Sequence, residues 1–216
     1  MEQSQNAVEL KNVAKRFNQW TLFENIDLQI PTASITGISG PNGAGKSMLL
    51  RIICGLVKPT AGQVLVWGKR IGEERDFPER TGALIDVPGF LPGFSAARNL
   101  QILADMGDEI DRSRIAEVLT IVGLDVENRQ PVHTYSVGMR KRLGLAQAIL
   151  EEPALLLLDE PTDSIDQAGW KNVYEYLIQL KEKGSAILLT SNNLDEITIL
   201  CDQAYILKDK QLFPTD

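Results

Sequence analysis

The chain has 216 residues, of which 44% are hydrophobic and 24% are charged, so it fits one folded globular unit and is neither a disordered nor a disulfide-stapled chain. Its 29 acidic residues outnumber its 22 basic residues, and the net charge of −7 argues against nucleic acid as the main partner, because such binding depends on Lys and Arg. The two cysteines, Cys54 and Cys201, lack a nearby Cys or His in metal-binding spacing, which indicates free thiols in a reducing compartment.

The N-terminal segment predicts an antiparallel β flank. From Val8 to Ile30 apolar and polar residues alternate, which is typical of a sheet with one face on the core. Residues 1–6 have neither the basic flank nor the apolar core of a targeting peptide, and no later apolar run approaches the ~18 residues needed to cross a bilayer. We therefore expect a cytosolic chain unless a partner holds it at a membrane.

Short apolar runs and helical patterns alternate along the rest of the chain. The apolar runs are typical of parallel strands buried on both faces, and they lie at 34–38, 83–85, 154–158 and 186–190. The helical patterns lie between them, at 46–54, 115–122 and 170–177. This order predicts a single α/β domain, residues 1–216, whose core is formed by 1–87 and 153–216 and is interrupted by a mostly helical insertion at 88–152.

Residues 40–47 read Gly-Pro-Asn-Gly-Ala-Gly-Lys-Ser and match the phosphate-loop pattern G-x-x-x-x-G-K-[ST] between a predicted strand and a predicted helix. Glycines let backbone N–H groups approach a phosphate, and the helix N-terminus adds a positive dipole end. We expect Lys46 to reach the β- and γ-phosphates and the Ser47 hydroxyl to bind Mg²⁺. The alternative is a Gly-rich turn before a buried helix, although such a turn needs no Lys-Ser at its end.

Two carboxylates, Asp159 and Glu160, directly follow the apolar run that ends at Leu158. Unpaired carboxylates at the end of a buried strand are costly to desolvate unless a cation or a water chain meets them. We expect Asp159 to orient Mg²⁺ through its water shell and Glu160 to act as the general base on an attacking water. A solvated loop is the alternative interpretation.

The segment Tyr135-Ser136-Val137-Gly138-Met139 resembles the signature of the nucleotide-binding domains of ATP-binding cassette (ABC) transporters, and this resemblance covers essentially the whole chain. It implies a P-loop NTPase (RecA-like) core with a helical signature subdomain. It also implies that Ser136, Val137, Gly138 and Met139 close over the γ-phosphate of ATP bound by a second subunit, since a helix N-terminus is an anion site. An N-cap Ser before an amphipathic helix is the alternative.

The resemblance implies further site residues. Phe17 occupies the place of the aromatic that stacks on adenine, with a strand core residue as the alternative. The ATP-binding loop would comprise Asn42, Gly43, Ala44, Gly45, Lys46, Ser47 and Met48. The loop at 161–166 resembles the one that contacts the partner subunit through Ser164 and Asp166, although Asp166 could instead be a helix N-cap.

Two positions depart from the family pattern. Where the family usually has a switch His, this chain has Asn192, which is shorter and carries no positive charge, so we expect slow hydrolysis. The only histidine, His133, is interpreted as surface or loop structure.

The second departure is at Asp86, where most relatives have a Gln that contacts Mg²⁺. The surrounding residues, 82–90, resemble a bacterial subgroup associated with bacitracin resistance and lantibiotic self-protection. A turn-forming Asp is the alternative.

The resemblance therefore implies an ATP-hydrolysing subunit that uses ATP and Mg²⁺, with Glu160, Lys46, Asn192 and Asp86 as catalytic residues and Ser47, Asp159 and Asp86 near the metal. It implies a second ATPase subunit, separately encoded membrane permease subunits and a peripheral position on the cytoplasmic face of the membrane.

The permease would dock near Asp86–Asn99, where Phe90, Leu91 and Phe94 are apolar. The alternatives are a weakly hydrolysing half of a heterodimer and a soluble ABC protein acting on ribosomes or DNA.

Overall fold

The computed structural model describes residues 6–86, 89–106, 110–162 and 167–215. The strands in this part of the chain are β1 (Asn6–Phe17), β2 (Trp20–Pro31), β3 (Ser34–Ser39), β4 (Ala61–Val66), β5 (Lys69–Arg70), β6 (Thr81–Leu84), β7 (Leu155–Asp159), β8 (Ala186–Ser191), β9 (Gln203–Lys208) and β10 (Gln211–Pro214). The helices are α1 (Lys46–Ile53), α2 (Ala96–Ala104), α3 (Arg112–Ile121), α4 (Val137–Ile149), α5 (Gln167–Glu182) and α6 (Leu194–Leu200), with a 3₁₀ turn at Val132–Thr134.

The strands form two sheets. Antiparallel pairing joins β2, β1, β4 and β5 in that order, which confirms the β flank predicted for Val8–Ile30. The second sheet has the order β10-β9-β3-β8-β7-β6, and all its pairs are parallel except that of β9 with β10. The four predicted strands of this sheet are confirmed, with ends within two residues of the apolar runs. The predicted α/β architecture is therefore confirmed.

The parallel sheet separates two apolar clusters. In β7, Leu155 and Leu157 pack on the side of α1 and the antiparallel sheet, whereas Leu156 and Leu158 pack on the side of the helical region. Burying each of these leucines contributes about 1.5–3 kcal/mol, so both faces of the strand must be apolar. This double burial explains why the predicted strands are continuous apolar runs rather than alternating ones.

The middle of the chain is helical, as the sequence predicts. Helices α2, α3 and α4 and the 3₁₀ turn lie within the predicted insertion at 88–152, and the boundaries of this insertion as a subdomain stay a prediction. None of the helices in the described ranges combines the length and the apolar character needed to cross a bilayer.

The register of the parallel strands places the site. Ser39 at the end of β3 pairs with Ser191 at the end of β8, and Asp159 at the end of β7 pairs with Thr190. Parallel strands end at a common edge, so the loops that follow these three strands lie side by side. Ligands of open parallel sheets bind outside this carboxyl edge.

Candidate functional site

The phosphate loop connects β3 to α1, and its backbone requires glycine at both ends. Gly40 has φ 149°, and a Cβ there would lie 2.3 Å from the Leu207 carbonyl oxygen. Gly45 has φ 111°, and a Cβ there would lie 2.8 Å from the Phe23 ring. Among the described residues no side chain caps the N-terminus of α1, so its first N–H groups are left for an anion.

Lys46 is the charged centre of this edge. Its side chain is 5% exposed, and its Nζ donates to the carbonyl oxygens of Gly40 at 2.8 Å and Pro41 at 3.4 Å. The same Nζ donates to Asn192 Oδ1 at 2.7 Å and lies 3.4 Å from Glu160 Oε1. The structure thus brings together three of the four residues predicted to be catalytic, although they are far apart in the sequence.

Thr190 contacts the Asp159 carboxylate and the Glu160 backbone. Its hydroxyl donates to Asp159 Oδ1 at 2.7 Å, and its carbonyl oxygen accepts from the Glu160 N–H at 3.1 Å. Glu160 has φ 47°, a left-handed conformation that costs a non-glycine residue about 1–2 kcal/mol, and these contacts with β8 hold it there. Sequence reasoning missed Thr190, whose only signal was its place at the end of a predicted strand.

The groups predicted to hold Mg²⁺ have suitable chemistry. Ser47 follows Lys46 in the first turn of α1 and offers a hydroxyl oxygen, and Asp159 ends the neighbouring element β7 with a carboxylate. The bond from Thr190 occupies Asp159 Oδ1 and leaves Oδ2 for a cation or its water shell. Mg²⁺ prefers a few oxygen ligands and keeps several waters, so this donor set fits it.

Asp86 follows β6 by two residues and pairs with Arg51. Arg51 Nη2 donates to both carboxylate oxygens of Asp86, at 2.7 and 2.9 Å, and the Asp86 side chain is 64% exposed. Arg51 belongs to the last turn of α1, so this ion pair links the helix of the phosphate loop to the segment that enters the helical region. Sequence reasoning missed Arg51, and the predicted metal role of Asp86 stays a prediction.

Phe17 is not a core residue. It ends β1 with 43% of its surface exposed, so the alternative interpretation of a strand core residue is wrong. Trp20 stacks against it at 6.1 Å between ring centroids, and Lys15 Nζ lies 5.1 Å from the Phe17 centroid. An exposed ring held by a second aromatic is a suitable platform for a planar base.

The signature segment forms the start of α4. Ser136 is the N-cap, and its hydroxyl accepts from the Met139 N–H at 3.2 Å, as the N-cap alternative predicted. Val137 is 60% exposed, whereas Met139 packs against the core of the helical region. Within the described residues, no hydrogen bond or ion pair joins Ser136–Met139 to the phosphate loop of the same chain.

Two further predictions can be compared with the structure, and a third cannot. Ser164 and Asp166 lie outside the described residues. His133 lies in the 3₁₀ turn Val132–Thr134, is exposed, and has its Nδ1 2.8 Å from the Pro92 carbonyl oxygen, in agreement with its assignment to surface or loop structure. Both cysteines are free, as predicted; burial raises the pKa of Cys54 and raises that of Cys201 to about 12.

The apolar residues of the predicted docking segment divide into two groups. Phe90 is partly buried against the core of the helical region, so the alternative of internal packing applies to it. Leu91 and Phe94 are exposed, and their backbones are fixed by Asn99, whose side-chain amide bonds to Leu91 and to the Phe94 carbonyl.

Residues 23–163, more than half of the chain, match the family model described as ABC transporter. The chain belongs to the ABC transporter family. It is 38% identical over 197 residues to the uncharacterized ABC transporter ATP-binding protein YybJ of Bacillus subtilis, covering 91% of this chain and 90% of that protein. It is 34% identical over 207 residues to the bacitracin transport ATP-binding protein BcrA of Enterococcus faecalis, covering 95% of this chain and 67% of that protein.

These relatives identify this ABC protein as an ATP-binding subunit of an ATP-driven transporter and confirm its resemblance to the bacitracin type. The fold also matches a dimeric structure of MJ0796, a bacterial ABC transporter cassette, with a TM-score of 0.83, 24% identity and coverage of 95% of this chain and 96% of that chain. Members of the ABC ATPase family generally hydrolyse ATP and act with membrane permease subunits.

Proposed function

We propose that this ABC subunit hydrolyses Mg²⁺-bound ATP in a closed dimer and thereby drives transport through separately encoded permease subunits, at the cytoplasmic face of the membrane. The observation that carries the proposal is the convergence of Lys46, Glu160 and Asn192 at the carboxyl edge of the parallel sheet, directly beside the phosphate loop. A lysine of a phosphate loop that lies beside a carboxylate able to act as a base suits the binding and cleavage of a phosphoanhydride.

ATP would bind to groups whose positions are already fixed in the structure. The N–H groups at the start of α1 would donate to phosphate oxygens, and Lys46 would exchange at least one of its four oxygen contacts for the β- and γ-phosphates. Ser47 and Asp159 would hold Mg²⁺, which neutralises phosphate charge when bound. Phe17 would stack on the adenine ring through its exposed face.

Hydrolysis would use Glu160 as the general base. Its carboxylate would accept a proton from a water whose oxygen attacks the γ-phosphorus, while the bond between that phosphorus and the bridging oxygen to the β-phosphate breaks. Thr190 fixes the Glu160 backbone, and Lys46 lies 3.4 Å from its side chain, so the carboxylate is held near the transferring group. Lys46 would stabilise the developing charge on the leaving oxygen.

A second copy would complete the site through its signature segment. Ser136 and Gly138 lie at an exposed helix N-terminus, and no bond among the described residues ties them to the phosphate loop of their own chain. A γ-phosphate bound to one copy would therefore meet the α4 N-terminus of the other, so ATP favours the closed dimer and hydrolysis releases it.

One observation supports a second candidate function, that of a weakly hydrolysing half of a heterodimer. Asn192 uses its only acceptor oxygen for the bond with Lys46, and an amide cannot supply the positive charge that a protonated His could place near the γ-phosphate. The intact Glu160 favours the hydrolysing subunit over this candidate.

Single-turnover phosphate release tests the proposal. The purified chain, in excess over Mg-ATP, is compared with Glu160→Gln, which keeps the shape of the side chain but removes the base. We expect release from the unsubstituted chain to be at least about 100-fold faster. Equal rates would contradict the hydrolysing function and leave the second candidate.

Docking to a permease is tested by co-purification from membranes. We expect Leu91→Asp combined with Phe94→Asp to abolish recovery of a membrane-spanning partner while ATP binding is unchanged, because both side chains are exposed at the predicted docking segment. Met106→Asp is the matched control, since Met106 is exposed elsewhere on the helical region. Normal recovery with the double variant would exclude this segment as the docking surface.

A further inference from the structure

A cavity of about 850 Å³ opens at the opposite edge of the parallel sheet from the phosphate loop. Its lining comes from the connections that precede β3, β6, β7 and β8 and from the hairpin of β4 and β5, at residues 32–33, 66–67, 69, 78–80, 154 and 183–185, together with Ile71 and Arg75. These are the starting ends of the strands, whereas the phosphate loop follows the end of β3. The volume lies within the range of about 300–1,000 Å³ that is usual for small-molecule sites.

The cavity concentrates positive charge in an acidic protein. Its lining contains one carboxylate, Glu79, and four basic residues: Lys69, Arg75, Arg80 and Lys183. Arg75 pairs with Glu79 at 2.9 Å, and Lys183 pairs with Glu152 at 2.8 Å. Within the described part of the chain, the side chains of Lys69 and Arg80 form neither an ion pair nor a hydrogen bond.

Apolar groups complete the lining. Trp67 is half-buried and packs against the core between the two sheets, and Val66 is buried beside it. Ile71 and Pro78 add further apolar surface. A concave site that joins an indole face to two uncompensated cations suits a ligand with a flat apolar part and a negative charge.

The backbone around the cavity is held firmly. The Arg80 carbonyl oxygen accepts from the N–H groups of both Ala154 and Leu155, at 2.8 and 3.2 Å, and the Ser185 hydroxyl donates to the Pro153 carbonyl at 2.8 Å. The backbone of the cavity wall is therefore preorganised, so ligand binding would cost little backbone conformational entropy.

We propose that this cavity is a second ligand site, which takes a small aromatic anion. Its ring lies against Trp67, and its carboxylate, sulfonate or phosphate group contacts Lys69 and Arg80. This site shares no residue with the ATP site and does not depend on the function proposed for that site.

The test uses 8-anilinonaphthalene-1-sulfonate as the probe and the full chain as the protein. Fluorescence titration should show that Lys69→Ala combined with Arg80→Ala weakens probe binding about tenfold or more, because two charge-assisted contacts are lost. Arg112→Ala combined with Lys171→Ala is the charge-matched control, since it removes two exposed cations from α3 and α5, and it should leave the affinity unchanged. Equal weakening by both pairs, or by neither, would overturn the proposal.

NMR locates the probe independently of affinity. The chain has three Trp indole N–H signals, and Trp67→Phe assigns the one that should move on titration. Lys46→Ala should leave this shift unchanged. Shifts confined to the amides of residues 40–48, or an unmoved Trp67 indole signal, would place the probe elsewhere and exclude the cavity.

Discussion

Lys46 Nζ donates to Asn192 Oδ1 at 2.7 Å, the shortest of the contacts that hold this buried ammonium. The bond connects the phosphate loop to the loop after β8, where the sequence resemblance leads us to expect a His. It also fixes the direction of the amide, because the oxygen faces Lys46 and only the NH₂ group is left to donate elsewhere. Asn192 therefore positions Lys46, and its amide carries no positive charge.

Replacing Asn192 by His should speed hydrolysis. The longer side chain can reach the γ-phosphate and add a donor that strengthens as negative charge develops, and one such donor is worth about 10²–10³ in rate where it is well aligned. Because the substitution also removes the bond between Asn192 and Lys46, we expect a smaller gain, about a tenfold increase in the single-turnover rate.

The matched control for this change is Asn193→His, which places the same ring on the next residue of the same exposed loop. It should leave the rate unchanged. If Asn192→His gives no increase, the contact between residue 192 and the γ-phosphate does not limit turnover. The hypothesis that Asn192 makes hydrolysis slow is then wrong.

The Glu160→Gln variant should form a stable dimer with Mg-ATP. Without the base, ATP persists, and its γ-phosphate continues to bridge the phosphate loop of one copy and the α4 N-terminus of the other. Gel filtration with light scattering should detect a dimer with ATP and a monomer with ADP.

Two further measurements examine this dimer. Adding Ser136→Ala should weaken it, since the hydroxyl is lost from the proposed second anion site. A chain that remains monomeric at high protein and ATP concentrations would contradict the homodimer and favour a heterodimer, which mixing with a second ATPase subunit would detect.

Removing the Phe17 ring should weaken ATP binding. Stacking of a base on an aromatic side chain contributes about 1–3 kcal/mol, so Phe17→Ala should raise the Kd for ATP by roughly 5-fold to 150-fold, measured by calorimetry. Phe17→Tyr should retain most of the affinity. The control is Phe77→Ala, which removes another exposed ring that is not among the predicted ATP-binding residues, and an equal effect of both alanine variants would argue against stacking at Phe17.

The sequence predicted the parts of this site that follow from local pattern. The apolar runs located β3, β7 and β8, the glycine spacing located the phosphate loop, and the position of Asp159 and Glu160 after a buried strand placed them at the carboxyl edge. The bond between Lys46 and Asn192 and the pair between Arg51 and Asp86 could not be predicted in this way. Each joins residues distant in the chain, and its geometry depends on strand order and loop path rather than on spacing.

The ion pair between Arg51 and Asp86 would compete with the predicted metal role of Asp86. The Asp86 side chain is 64% exposed, and an exposed ion pair is worth only about 0.2–1 kcal/mol, so Asp86 can exchange Arg51 for a Mg²⁺-bound water at little cost. Arg51→Ala should therefore lower the Mg²⁺ concentration needed for half-maximal hydrolysis by about 1.5-fold to 5-fold, whereas Asp86→Ala should raise it. Arg16→Ala, which breaks another exposed ion pair, is the control. If Arg51→Ala and Asp86→Ala shift the Mg²⁺ dependence equally and in the same direction, the two residues act only as a structural pair that holds α1 to the segment entering the helical region.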